Sequence, residues 1–181
     1  MLKRKNYMVG VLIVLSSLVG CTSMQVNHTA PVSMAPSTKV AVIPFTNMTE
    51  TPQAEGRAAA ISASLLRTKG YVVVAYPEKA GNIIPGVAPL TPKHQSLAWA
   101  REHHALYALT GTVTEWRYIV GLDGEPVVGV ALELIRVKDG HTVWTSVGSK
   151  SDGSRVALST TAQRLIDTML VSLNDDNTRR T

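Results

Sequence analysis

Leu106–Tyr118 reads LYALTGTVTEWRY, and Val127–Val137 reads VVGVALELIRV. In the second run Val128, Val130, Leu132 and Leu134 alternate with Gly129, Ala131 and Glu133, the period-two pattern of a strand with one buried face. The first run sets Leu109 and Val113, with Tyr107, on one face. Between the two, Gly121-Leu122-Asp123-Gly124-Glu125-Pro126 has the residue types of a turn. Asp139-Gly140 is a two-residue hairpin signal, and His141–Ser149 follows as a further β-rich run. Three consecutive antiparallel strands make a meander, so a sheet organises the domain.

Upstream, Lys39–Phe45 (KVAVIPF) is a β-branched apolar run and reads as a buried strand. Thr51-Pro52 followed by Glu55 resembles a capped helix start. Ala58, Ile61, Leu65 and Leu66 then share a helical face, Gly70 stops the helix, and Tyr71–Ala75 (YVVVA) is a second strand. Pro77–Pro92 reads as a long surface loop, with Thr91-Pro92 opening another helix that ends near His104. Leu158, Ala162, Leu165, Ile166, Met169, Leu170 and Leu173 recur at helical spacing. The predicted order is β-α-β-α-β-β-β-α: an α/β (α+β) domain over residues 39–173. Its single mixed sheet has about five strands, with helices packed on it. Residues 174–181 read as a frayed tail.

The N-terminus carries Lys3, Arg4 and Lys5, then the apolar segment YMVGVLIVLSSL (Tyr7–Leu18), then Leu18-Val19-Gly20-Cys21. A basic start, a short apolar middle and a small-residue exit make a secretory signal over residues 1–20, short for a membrane span. A Cys directly after a small residue, with Leu three before it, is the pattern of a bacterial lipobox. The resemblance implies a diacylglyceryl group on Cys21, cleavage before it, and acylation of the new amine, palmitate being a usual chain. Thr22 stands where an inner-membrane retention signal would show Asp, which favours the periplasmic face of the outer membrane. Two or more acyl chains anchor far more firmly than one. Cys21 is the only cysteine, so no intramolecular disulfide supports the fold. Residues 22–38, TSMQVNHTAPVSMAPST, are polar with two prolines and read as a flexible tether about 20–25 Å in typical span.

The 181-residue chain has a formal charge of +5, but the three signal cations account for part of it and leave +2 on the mature part. No basic stripe with interleaved aromatics appears, so nucleic acid is not a partner on this reading. No glycine pattern fits a nucleotide loop, no serine sits in a GxSxG elbow, and no cofactor is implied. His103 and His104 are adjacent, so on a helix they point apart, and His94 lies nine residues earlier without a carboxylate cluster. No metal site or catalytic group is read, and the chain is expected not to be an enzyme. Asp123 and Glu125 form an acidic turn; such a pair is ordinarily solvated, yet repeated around a ring of subunits it would build a strong negative potential. Trp116, Tyr118 and Trp144 are open to three uses: core packing, a subunit contact, or a membrane interface.

Several stretches together resemble the PelC family of outer-membrane lipoproteins of Pel exopolysaccharide secretion. They are Val40-Ala41-Val42-Ile43-Pro44-Phe45 with Asn47, Glu50-Thr51-Pro52-Gln53-Ala54, and Thr110–Tyr118 with Gly121–Pro126. The resemblance spans Lys39 to about Leu173. It implies a dodecameric ring, a homo-oligomer beneath or around the PelB export channel, whose acidic funnel guides a cationic amino-sugar exopolysaccharide in biofilm formation. Asp123, and less directly Glu125, would line that funnel. The family also implies a membrane-facing tryptophan near the loop before the last helix, but Lys150–Arg155 carries no aromatic here. The same element order resembles lipoproteins that bind and regulate peptidoglycan synthases, which is the alternative reading.

Overall fold

The structure, a computed structural model, describes residues 22–77, 92–119, 121 and 124–173. The signal segment, Cys21, most of the proline-rich loop, Asp123 and the tail 174–181 lie outside the described residues. The elements are β1 (Ser23–His28), β2 (Lys39–Val42), β3 (Thr46–Asn47), α1 (Ala54–Thr68), β4 (Val72–Ala75), α2 (Lys93–Glu102), β5 (Tyr107–Tyr118), β6 (Pro126–Arg136), β7 (Thr142–Ser151) and α3 (Leu158–Leu170). A 3-10 turn, Val171–Leu173, follows α3. The sheet runs β1-β7-β6-β5-β2-β4, with β3 pairing β5 off that path. The β2–β4 and β2–β5 pairs are parallel, while β5, β6, β7 and β1 are antiparallel. The α/β architecture with one mixed sheet is therefore as the sequence indicates.

The sheet has two more strands than the five predicted. One is the two-residue β3. The other, β1, overturns the flexible-tether reading of 22–38. Ser23–His28 pairs with β7 along its whole length, from Ser23 opposite Ser151 to His28 opposite Ser146. Val26 packs against the main core, and Met34 and Thr38 farther along are buried. The Ser37 amide donates to the Gly70 carbonyl at 3.0 Å. The physical reason is that β7 would otherwise be an edge with unpaired backbone groups, and Met24 and Val26 alternate with polar residues. Gly148 admits the new strand closely: a Cβ there would lie 2.9 Å from Leu165 and 3.1 Å from Val26.

One face of the sheet carries the main core under α1 and α3. Along α3, Thr161, Ala162, Leu165, Ile166, Met169 and Leu170 are buried, a helical stripe facing Val128, Val130, Leu132 and Leu134 of β6. The α1 stripe is Ala54, Ala58, Ser62, Ala63 and Leu66, so Ile61 and Leu65 sit at its margin and not at its centre. On the opposite face α2 covers only a smaller cluster that includes Ala41, Ile43, Ala108 and Ile135.

Two helix starts differ from expectation. Gln53, not Thr51, occupies the first cap, in a left-handed conformation, and Pro92 occupies the second; neither has a side-chain cap bond. Thr51 is committed elsewhere, its hydroxyl donating to the Trp116 carbonyl. The β6–β7 connection is also longer than two residues, because Val137 turns inward to the smaller cluster.

A bulge in β5 decides where Trp116 goes. Val113 opposes Val130, but Thr114 and Glu115 together oppose Gly129, and Trp116 opposes Val128. The extra residue switches the alternation, so Leu109 and Val113 before it and Trp116 after it face the same core. Gly129 is needed opposite the bulge: a Cβ there would stand 2.6 Å from the Thr114 hydroxyl.

Removing residues 22–28 from the mature chain is expected to lower its unfolding free energy by about 1–2 kcal/mol, the scale of a partly buried valine, and to expose β7. Denaturant titration checks this; an unchanged midpoint would restore the tether.

Candidate functional site

The register of the sheet brings the N-terminus of the domain and the acidic hairpin to one end. Ser23, Ser151 and Val127 lie in one row across β1, β7 and β6. Next to it, Tyr118 opposes Pro126 at the mouth of the β5–β6 hairpin. The Ile119 amide donates to the Glu125 carbonyl at 2.7 Å, closing that hairpin. Thr22, the first described residue, lies at this end of the sheet.

Asp152 holds this end together. Its carboxylate accepts from Thr161 at 2.9 Å and from the Thr22 hydroxyl at 3.3 Å. The Lys150 ammonium stands 2.9 Å from Oδ1 and the Arg164 guanidinium 3.7 Å from Oδ2. Lys150 and Asp152 are both buried, so neither charge is offered to a solvent ligand. Lys150 follows Trp144, Ser146 and Gly148 on the inward side of β7, and Thr161 lies in the first turns of α3. The Asp152 amide donates to the Pro126 carbonyl at 3.2 Å. One side chain therefore joins β7, α3 and the residue next to Cys21, and its backbone reaches β6.

Burial alone raises the Asp152 carboxyl. The hydrogen bonds from Lys150 and Thr161, the Lys150 charge and the bond from Thr22 outweigh it and hold the group below the usual aspartate range.

The other sequence candidates fall in different places. Trp116 and Trp144 are only 2% and 1% exposed, which removes both from the membrane-facing and subunit-contact roles. Trp116 fills the core after the bulge, and the Trp144 indole donates to the Ser172 hydroxyl at 3.0 Å. Tyr118 is 49% exposed, and its hydroxyl accepts from the Leu158 amide at 3.2 Å, satisfying an otherwise uncapped N–H of α3. Ile119 beside it is also exposed. Glu125 is half-buried at the hairpin mouth, whereas Asp123 and Cys21 lie outside the described residues. His94, His103 and His104 are exposed, and the His103 ring stacks on Trp99 with centroids 4.1 Å apart. Among the described residues no cluster of three metal-ligating side chains occurs, and no helix is long and apolar enough to cross a membrane.

Among solved structures, the chain is 40% identical to PelC from Paraburkholderia phytofirmans. The match covers 84% of this chain and 99% of that one, with a TM-score of 0.72. The chain belongs to the PelC family. That match is to a single-substitution variant; PelC itself, in a second crystal form, matches equally, at 40% identity and TM-score 0.72 over 84% of this chain and 98% of the other, and both are described as dodecamers. Lipoprotein GNA1162 from Neisseria meningitidis is 20% identical, covering 74% of this chain and 95% of its own, at a TM-score of 0.52; it shares the fold. These similar structures are PelC and a lipoprotein, not enzymes. No protein-family profile and no curated protein matches the chain.

The sequence reading missed Thr22, Lys150 and Asp152. The available signal was a lysine at an inward position of an alternating strand, which requires a buried partner, with Asp152 two residues on.

Because the folded-state pKa of Asp152 is lowered, its stabilisation is complete above its unfolded value of about 3.9 and is lost as pH falls through the folded value. Stability should therefore decline in acid below about pH 4, and Asp152→Asn should flatten that decline while lowering stability at neutral pH. Thermal unfolding followed from pH 2 to 7 checks this; parallel profiles for the two proteins would contradict it.

Proposed function

We propose that this protein is a lipid-anchored, non-enzymatic component of exopolysaccharide export at the outer membrane. In this reading it forms a periplasmic ring whose acidic hairpins guide a cationic amino-sugar polymer toward the PelB channel. The observation that carries the proposal is the 40% identity to PelC dodecamers over nearly the whole of the matched chain. The lipobox at Cys21 supplies the anchor.

The geometry supports this reading in two ways. The β1 strand starts two residues after Cys21, so the anchor end of the sheet lies against the membrane with almost no slack. Tyr118 and Ile119 are exposed at that end, next to the loop before α3. They take the membrane-facing role that an aromatic in Lys150–Arg155 would otherwise fill, since a phenol with one apolar face suits a membrane interface. Asp123 and Glu125 belong to the hairpin at the same end. Repeated around a ring, these carboxylates sum into a potential that no single turn possesses. At physiological salt, screening over about 8 Å keeps each contact short-ranged, which lets a polymer be attracted and still slide.

Asp123→Asn combined with Glu125→Gln should reduce secreted polymer several-fold without changing the assembly's mass. Secretion assays paired with light scattering check this, and normal export from an intact ring would remove the charged-funnel role. Separately, Cys21→Ala should move the protein from the outer-membrane fraction to the soluble periplasm. Continued membrane fractionation would show that lipid is not the main tether.

A further inference from the structure

β1 sits on the sheet specifically but shallowly. Of its six residues only Val26 is partly buried, and Met24 is 43% exposed, whereas β6, two strands in, is buried along most of its length. Residues 22–38 contain no lysine, arginine, aspartate or glutamate, so no permanent side-chain charge fastens them. Polar bonds close the two ends: the Thr22 hydroxyl donates to Asp152 at 3.3 Å, and the Thr29 amide donates to the Thr145 carbonyl at 3.0 Å. The seat is shaped at one point. Val26 lies opposite Gly148, and a Cβ there would stand 3.1 Å from Val26.

The chain just beyond β1 is fixed more firmly. The Val32 amide donates to the Ser172 carbonyl at 3.3 Å, Val32 packs against the main core, Met34 is buried, and the Ser37 amide reaches the Gly70 carbonyl at 3.0 Å. Ala30 and Pro31, both exposed, lie between the two parts.

Asp152 does not depend on β1 alone. When Thr22 leaves, Lys150 and Thr161 remain on the carboxylate, each at 2.9 Å. Opening β1 therefore strands no buried charge, and the backbone groups it uncovers on β7 pass to water. Such a segment belongs to the low-stability end of a fold, opening while the core stays closed. The burial of one partly covered valine sets the open fraction between about one in five and one in thirty.

We propose that β1 is a releasable strap, which leaves and rejoins the edge of β7 while the domain remains folded. The inference rests on the lipid-anchor reading above and adds that the anchor has two lengths. With the strap closed, the residue after Cys21 is held at Asp152. With it open, residues 22–31 become a flexible link of about 15–20 Å typical span, and residues 32–34 are the stop. The open state is also the one a processing enzyme can use. Hydrolysis of the Gly20–Cys21 bond requires several residues on each side to lie extended in the enzyme, and a closed strap binds the chain from Thr22 on. Closing therefore follows cleavage.

The test uses the full chain, expressed with its own signal and bound to phospholipid vesicles, with amide hydrogen exchange read by mass spectrometry. Amides of β1 should exchange about five- to thirty-fold more slowly than an unstructured peptide, and those of β6 about a hundredfold more slowly again or beyond. Val26→Ser should bring β1 close to the unstructured rate and leave β6 deeply protected. Gln25→Cys with Ser149→Cys places two thiols at opposed positions of β1 and β7. Oxidised, that pair should slow β1 exchange by about tenfold or more, and reduction should restore the faster rate. If β1 of the parent exchanges as slowly as β6, it is a fixed strand and the strap is wrong, while the anchor stands. If it exchanges at the unstructured rate, it never closes and the strap is equally wrong. If the chain does not float with the vesicles, the anchor reading fails and the two-length claim falls with it.

Discussion

The buried pair of Lys150 and Asp152 is the constraint on which the anchor end of the molecule depends. Taking two charges out of water costs several kcal/mol each, and mutual attraction offsets that only when the remaining hydrogen-bonding capacity is also filled. Asp152 fills it with Thr161, Thr22 and a flanking Arg164. The pair is thus less a source of net stability than a geometric condition, met only when β7, α3 and the residue after Cys21 are all in place. If Thr22 leaves, the carboxylate loses one donor. If α3 shifts, it loses two more partners. A flexible tether would leave residues 22–28 free, whereas this arrangement fixes the attitude of that N-terminal strand relative to the sheet.

That attitude links the fold to the proposed role. With β1 paired along β7, the start of β1 and the mouth of the β5–β6 hairpin share one end of the sheet. In the proposed role that end faces the membrane. The sheet presents one filled face to its own helices α1 and α3. The main core also explains why Trp116 and Trp144 do not serve the surface. The bulge at Thr114 carries one inward, and the other donates to Ser172 beneath the C-terminal turn. Tyr118, two residues after Trp116, is left at the sheet's end with its ring half-exposed and its hydroxyl on α3.

Much of this was legible in the residues. The alternation in Val127–Val137 and the helical stripe of Leu158–Leu173 identify the meander and its covering helix, because each element buries one face and its period is visible. The family likeness was carried by Thr110–Tyr118 and the turn after it. What escaped was non-local. The alternation of Met24 and Val26 is only two apolar residues long and is followed by Pro31 and Pro36, so local composition argued for a tether; only the unpaired edge of β7 makes those residues a strand. Similarly, Thr51 looks like a helix cap until the Trp116 carbonyl, far away in sequence, claims its hydroxyl. The anchor-end cluster was illegible for the same reason, since Thr22 and Asp152 are 130 residues apart.

The central claim is that an assembled ring attracts a cationic polymer by summed, screened charge. Its most direct test is calorimetric binding of a partly deacetylated amino-sugar oligomer to the purified assembly across a range of salt concentrations. The account predicts measurable binding at low ionic strength that weakens steeply toward physiological salt. Binding that ignores salt, or no binding at the lowest ionic strength, would contradict it.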